Sequence, residues 1–300
     1  MQLGLHLVTW NWLGGPPRIG ETLGRIVESA EAAGFDSIDV SDHVWQSKYT
    51  GGELEPQLEG WTTLAWIAAR TERVRLFTLA TAATYREPAL LAKMATTLDV
   101  LSGGRLMLGL GAGDDEAEAN GLGLPYGSAA ERFDRLEDTL RICLAMWQGE
   151  RGADAPFEGR TVTLGRTLNV PQPLTRPHPP ILVAGGGERR TLPLVARYAD
   201  ACNIPPSPEL PRKLDLVRRL CDEAGRDYDA IEKTVPFGFD VGEDGQKVDE
   251  LLRQLEWLAS MGAQSVFGWL VGVERERAMD IMARRVIPEA AGMGAPITAH

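Results

Sequence analysis

Short apolar runs recur along the chain at residues 3–8, 37–42, 74–81, 105–111, 181–186, 200–204, 234–241 and 265–271. Each has the length of a strand buried on both faces. Between them the apolar positions fall three and four apart. Leu23, Ile26, Val27 and Ala30 form one such face, Leu64, Ile67 and Ala68 a second, and Leu90, Leu91, Met94, Leu98 and Leu101 a third. Phe133, Leu136, Leu140, Leu144 and Trp147 make the cleanest. Three more follow: Leu214, Val217 and Leu220; Val248, Leu251, Leu252, Leu255 and Leu258; and Met279, Met282 and Val286. This spacing predicts amphipathic helices. Eight strands, each followed by a helix, predict a parallel sheet closed into a (β/α)8 TIM barrel. A doubly wound open sheet competes with it, but that needs a reversal of strand order, and no long crossover marks one.

One stretch breaks the rhythm. Residues 149–180, ahead of the fifth barrel strand, hold six of the nineteen prolines and a strand-like Thr161-Val162-Thr163-Leu164. An insertion of this length is a lid or an interface, or else a surface excursion that covers a barrel edge. The alternation resumes at Ile181. A single barrel domain is therefore expected over residues 1–291, with the insertion inside it and a frayed tail at 292–300.

Composition narrows the partners. Of 300 residues 44% are hydrophobic, enough for one full α/β core. A net charge of −11 argues against nucleic acid or an anionic membrane as the main partner. Cys143, Cys202 and Cys221 are odd in number, without metal-type spacing, and fall inside predicted elements. A reducing cytoplasm and no metal are expected. Met1 leads straight into an apolar strand, and no run approaches the roughly 18 apolar residues of a membrane span.

In such a barrel, ligands meet the loops after the C-terminal ends of the strands. Asp42 and His43 close the second strand. Histidine exchanges protons near neutrality, and an adjacent carboxylate can orient it or hold its proton. The plainer reading makes Asp42 a cap and His43 a structural histidine. The fourth strand ends in Gly111-Ala112-Gly113 before Asp114, and the fifth in Ala184-Gly185-Gly186-Gly187. Glycines let a ligand lie against bare backbone. The helix expected from Glu188 would offer free N–H groups to an anion, with Arg189 and Arg190 beside it; the alternative is a turn with two solvated arginines. Neither glycine run is G-x-G-x-x-G, so a nicotinamide-binding domain is not expected. Trp10, Trp12 and Trp45 fall in mouth loops and suit the flat apolar face of a substrate. His6, in the first strand, points either into the mouth or into the packed layers below it.

Four stretches carry a resemblance: REPALLAKMATTLDVLSGGRLMLGLGAG at 86–113, Ser41-Asp42-His43, ERFDRLEDTLRICLAMW at 131–147, and PPILVAGGGERRTLPLVARYADACN at 179–203. Together they resemble the luciferase-like monooxygenase superfamily, in particular its branch that uses the deazaflavin coenzyme F420. They run in family order over nearly the whole chain. The resemblance implies a hydride transfer between the deazaflavin and a small organic substrate. That substrate is an activated C=C, C=N or C=O bond to be reduced, or an alcohol to be oxidised. It further implies that Asp42 and His43 touch the ring and assist proton transfer. A non-prolyl cis peptide, by position Leu79–Ala80 beside Thr78, would form a bulge behind the ring. The cofactor phosphate would sit at the Gly185–Arg190 turn. Asp114 stands where the family commonly has tryptophan or glutamate, which marks the substrate side as specialised. A homodimer and a separate cofactor reductase are implied as well. With FMN the same fold would run as a two-component monooxygenase. A non-catalytic flavin- or deazaflavin-binding protein is the reading from another class.

Overall fold

A computed structural model describes residues 1–48 and 50–294. Each apolar run forms a strand within two or three residues of its expected place. They are β1 (Gln2–Leu7), β2 (Ser37–Val40), β3 (Arg75–Thr78) with its continuation β4 (Thr81–Ala82), and β5 (Leu108–Gly111). The insertion contributes β6 (Phe157–Glu158) and β7 (Thr163–Leu164), after which come β8 (Ile181–Ala184), β9 (Ala201–Asn203), β10 (Glu232–Phe239) and β11 (Ser265–Leu270). The large sheet runs β3-β2-β1-β11-β10-β9-β8-β5-β4 with every pairing parallel. It closes where Leu76 N donates to Arg105 O (2.9 Å) and Met107 N to Leu76 O (3.0 Å). The open-sheet alternative is thereby excluded.

Alternation along each strand divides the core in two. Leu3, Leu5, Leu7, Ile38 and Val40 join the helices in the outer layer. Phe77, Met107, Leu182, Ala201 and Phe267 fill the barrel interior, with Phe77 and Phe267 edge to face at 4.8 Å. Below them Arg75 donates to Glu232 (2.8 and 3.0 Å) and to Gln2 (3.0 Å). The barrel is therefore plugged, and a ligand must enter from the C-terminal mouth.

The helices are α1 (Pro16–Ala33), α2 (Gly60–Ala68), α3 (Pro88–Ser102), α4 (Glu116–Gly121), α5 (Ala129–Met146), α6 (Thr191–Tyr198), α7 (Leu210–Ala224), α8 (Val248–Ser260), α9 (Glu276–Ile281) and α10 (Ile287–Ala290). α3 starts on Pro88 and stops at Gly103 in the left-handed conformation. Ser128 and Glu131 close a capping box on α5. The expected apolar face of α3 merges two stripes. Leu91, Ala95 and Leu98 are buried, whereas Leu90 and Leu101 are 57% and 74% exposed. Eleven residues make just over three full turns, so Leu90 and Leu101 share a second, outward line.

The insertion does not cover the mouth. Buried Asp138 of α5 accepts from Thr161 N (2.7 Å) and its hydroxyl (2.9 Å). Buried Asp99 of α3 accepts from Leu174 N (2.6 Å), Thr175 N (3.0 Å) and the Thr175 hydroxyl (2.8 Å). These carboxylates pin the segment against the outer helices α3 and α5. All three cysteines are buried thiols. No helix among the described residues is long and apolar enough to cross a membrane. Of the expected tail, residues 295–300 lie outside the described residues.

Candidate active site

The mouth of the barrel is organised around a carboxylate that the strand-end filter passed over. Asp115 caps α4 by accepting from Glu118 N (2.9 Å). This fixes the short helix so that the Glu118 side chain turns inward, where it is 2% exposed. One oxygen accepts from His43 Nδ1 (2.8 Å) and the Tyr85 hydroxyl (2.5 Å), the other from the amides of Val44 (2.5 Å) and Trp45 (2.8 Å). Burial alone would raise its pKa. The donors from His43, Tyr85, Trp45 and Val44 outweigh that and push it down to about 2. The hydrogen bond to Glu118 in turn raises the His43 pKa against partial burial, helped by the charges of Glu118, Asp114 and Asp115. Tyr85 is pushed up by burial and by the same carboxylate, and so stays a phenol. His43 is thus held by one ring nitrogen, its pKa raised, beside a cavity of about 630 Å³ lined by Trp45, Asp114 and Glu118.

Asp42 does not orient His43. Its carboxylate faces the other way, as neighbours on an extended chain do. It is 3% exposed and bound by Arg86 at 2.5 and 2.9 Å. Arg86 also bonds Glu59, which caps α2 through Trp61 N (3.1 Å) and Thr62 N (2.7 Å). Burial pushes the Asp42 carboxyl up, against the pull of Arg86. Asp42 therefore ties β2 to α2 and the segment before α3, and the carboxylate bonded to His43 is Glu118 rather than its neighbour in sequence.

On the ring side, the peptide Leu79–Ala80 is cis, at the position the resemblance implied. Leu79 and Ala184 lie over the packed interior. Thr78 does not reach the mouth; it is buried, its hydroxyl 2.6 Å from that of Thr81. Gly111 faces Ala80, where an added Cβ would lie 3.7 Å away. Gly113 takes φ +81°, which favours glycine, and Asp114 beyond it is exposed.

At the fifth strand of the barrel, Gly185 (φ +116°), Gly186 and Gly187 form a turn, and α6 starts only at Thr191. Among the described residues no hydrogen bond takes up the amides of Gly186 and Gly187. A Cβ on Gly186 would sit 2.9 Å from Lys213 Nζ, and one on Gly187 3.0 Å from Thr191 Oγ1. The cation at this turn is therefore Lys213 of α7. Arg190 is drawn off to Asp134 on α5 (3.1 Å), Arg189 is exposed, and Glu188 pairs with Arg212. Lys213 thus adds a cation that the expected pair, Arg189 and Arg190, did not include. Open amides, a hydroxyl and an ammonium suit a phosphate, and the bare backbone at Gly111 and Gly113 suits a flat ring. The residues fit a phosphate-bearing, flat-ring cofactor.

The remaining candidates divide. His6 points into the barrel interior, opposite Asp39 in the β1–β2 register, and its Nδ1 bonds the Asp39 carboxylate. Trp10 is wholly buried and edge to face with Trp12 at 5.4 Å, so it belongs to the core and not to a substrate wall. Trp12 is 7% exposed and lines a cavity of about 250 Å³ with His6 and Trp269. Trp45 borders the larger cavity and packs on Gly121, where any Cβ would strike its ring at 2.2 Å. His43, Asp115 and Glu118 bring possible metal-ligand atoms within 4.8 Å. Four N–H and O–H donors already fill the Glu118 oxygens, and a cation would be repelled by them.

Sequence reasoning missed Glu118, Tyr85, Lys213 and Asp39. Glu118 had a usable signal, because it lies in the segment after a barrel strand. Lys213 had none: it comes from the next helix.

The family model described as luciferase-like monooxygenase matches residues 1–293. The F420-dependent glucose-6-phosphate dehydrogenase of Nocardia farcinica (strain IFM 10152) is 34% identical over 221 residues, covering 69% of this chain and 60% of the relative. The phthiodiolone/phenolphthiodiolone dimycocerosates ketoreductase of Mycobacterium sp. (strain JLS) is 33% identical over 245 residues, 74% of this chain and 62% of the relative. The chain spans under two thirds of the length of the curated relatives it matches. Among solved structures, the coenzyme F420 dependent tetrahydromethanopterin reductase from Methanopyrus kandleri has a TM-score of 0.77 at 16% identity. That match covers 96% of this chain and 98% of the other, and concerns the fold. With a family model matching from the first residue to the last helix, the chain belongs to the luciferase-like monooxygenase family.

Proposed function

We propose that this protein is a coenzyme F420-dependent oxidoreductase acting on a small organic substrate, as a dehydrogenase of an alcohol or a reductase of an activated double bond. The deazaflavin, when bound, supplies a two-electron hydride chemistry. The chain supplies the rest. Lys213, Thr191 and the amides of Gly186 and Gly187 would hold the phosphate, while Leu79, Ala80 and Gly111 would back the ring. His43, whose pKa Glu118 raises, would offer its other ring nitrogen to the ring or to substrate as a proton donor. The observation that carries the reading is the His43–Glu118 pair at the mouth: a store for a cofactor has no use for a histidine oriented by a four-donor carboxylate. The names of the curated relatives support the coenzyme. Anaerobic titration tests it. The protein should quench deazaflavin fluorescence at low micromolar concentration and bind FMN more weakly. Tighter FMN binding with oxygen-consuming turnover would favour a monooxygenase and overturn the proposal.

We also propose a homodimer. Along α3 and the insertion pinned to it, Leu90, Leu101, Leu168, Val170 and Leu174 stand exposed, a single apolar strip of the kind that marks an interface.

A further inference from the structure

The mouth holds a second histidine–carboxylate pair that the reading above does not use. His6 and Asp39 are register partners on β1 and β2, with both side chains on the interior face. Asp39 is wholly buried, its Oδ1 is bonded to His6 Nδ1, and its Oδ2 has no partner among the described residues. A carboxylate so placed favours a donor at its one contact, so Nδ1 carries the proton. In the neutral imidazole Nε2 is then the atom that offers a lone pair to the cavity that His6 borders. This is how a buried carboxylate sets the tautomer of a catalytic base.

The two pairs are chemically unlike. Glu118 accepts from four donors, His43 Nδ1 among them, so its charge is shared over the whole cluster. Asp39 accepts from His6 alone among the described residues. The cavity beside His6 is walled by Trp12, Leu13 and Trp269, with Asn11 as a polar group and Glu274 as its other titratable side chain. It contains no lysine or arginine. An anionic substrate would find no counter-charge there and would meet Glu274.

We propose that His6 is the catalytic base and acid toward substrate, that Asp39 is its positioning residue, and that the substrate is an uncharged alcohol or carbonyl compound with an apolar body. This rests on the hydride-transfer reading. In the oxidising direction the carbinol C–H bond breaks and its hydride reduces the deazaflavin. The O–H bond breaks with its proton passing to His6 Nε2, and the C–O bond becomes a carbonyl. Reduction reverses each step.

Two measurements test it. In the cofactor-free protein, side-chain ¹⁵N NMR at pH 8, with the His6 signal assigned by its loss in His6→Asn, should show the Nδ1–H tautomer. An Nε2–H tautomer overturns the proposal. With coenzyme, a panel of uncharged secondary alcohols and ketones is compared with glucose 6-phosphate. The uncharged compounds should turn over and the sugar phosphate should not. His6→Asn should then lower kcat by about 10²- to 10⁴-fold, with coenzyme Kd within about twofold of wild type. Asp39→Asn should lower kcat with little change in KM, and imidazole should restore part of the activity of His6→Gly, which a packing defect would not allow. Near-native kcat in His6→Asn, loss of coenzyme binding with it, or turnover of the sugar phosphate alone each overturns the proposal. If wild type neither binds coenzyme nor turns over any compound, the hydride-transfer reading fails instead, and the tautomer still decides how His6 is held.

Discussion

Glu118→Gln is the most informative single substitution at the mouth. A carboxyl that titrates near 2 in the fold and near 4.5 as a free side chain contributes about 3 kcal/mol of stability at neutral pH. Its burial leaves little solvent to screen that contribution. Glutamine keeps the shape and removes the charge. The amides of Val44 and Trp45 can only donate, so the amide oxygen must face them. The amide nitrogen then faces His43 and Tyr85, which can both turn round and accept. His43 must present a bare Nδ1, becoming neutral with its proton on Nε2. Urea unfolding at pH 7 should show a loss of about 3 kcal/mol, and the NMR signal of His43 should lose its raised pKa. Because the Glu118 pKa is depressed, the difference between variant and wild type should hold above pH 4.5 and shrink as pH falls toward 2. Because the His43 pKa is raised above 6.5, the pair also weakens as pH climbs through the His43 titration. A variant within about 0.5 kcal/mol of wild type, the range of ordinary surface changes, or a His43 still protonated on Nδ1, would refute the reasoning.

Other substitutions separate the remaining roles. Lys213→Ala should weaken coenzyme binding by about one to two decades, the value of a charge-assisted hydrogen bond. Arg190→Ala should leave it unchanged in the same fluorescence titration, since Asp134 already holds that side chain. Arg86→Met should destabilise the fold by about 3–5 kcal/mol in urea, because it strands the buried Asp42 carboxylate. Leu101→Glu should convert the dimer to a monomer by light scattering; a wild type that is already monomeric contradicts the dimer.

The eight strands were legible because a buried strand is a continuous apolar run, and each run names itself. The run at 105–111 and the strand Leu108–Gly111 differ only at the entry, where Leu106 makes a single bridge to Leu76. The glycine turns were legible for the same local reason. What periodicity does not reveal is which elements meet. Glu118 and His43 are 75 positions apart, and Lys213 reaches Gly186 from the following helix. Adjacency in sequence misled at Asp42, because neighbours on an extended chain face opposite ways. Position in a loop misled at Trp10, whose side chain is wholly buried although Leu13 of the same loop is exposed. The cis peptide at Leu79–Ala80 has no signature in its residues and came from the family resemblance alone.

Isotope transfer tests the central claim most directly. Wild-type protein, oxidised coenzyme F420 and the best alcohol of the panel, deuterated at the carbinol carbon, are mixed without oxygen, and the coenzyme is recovered for mass spectrometry. The account predicts one deuterium on the coenzyme for each carbonyl formed. Product that forms only with FMN and oxygen, with no label on the coenzyme, would contradict it.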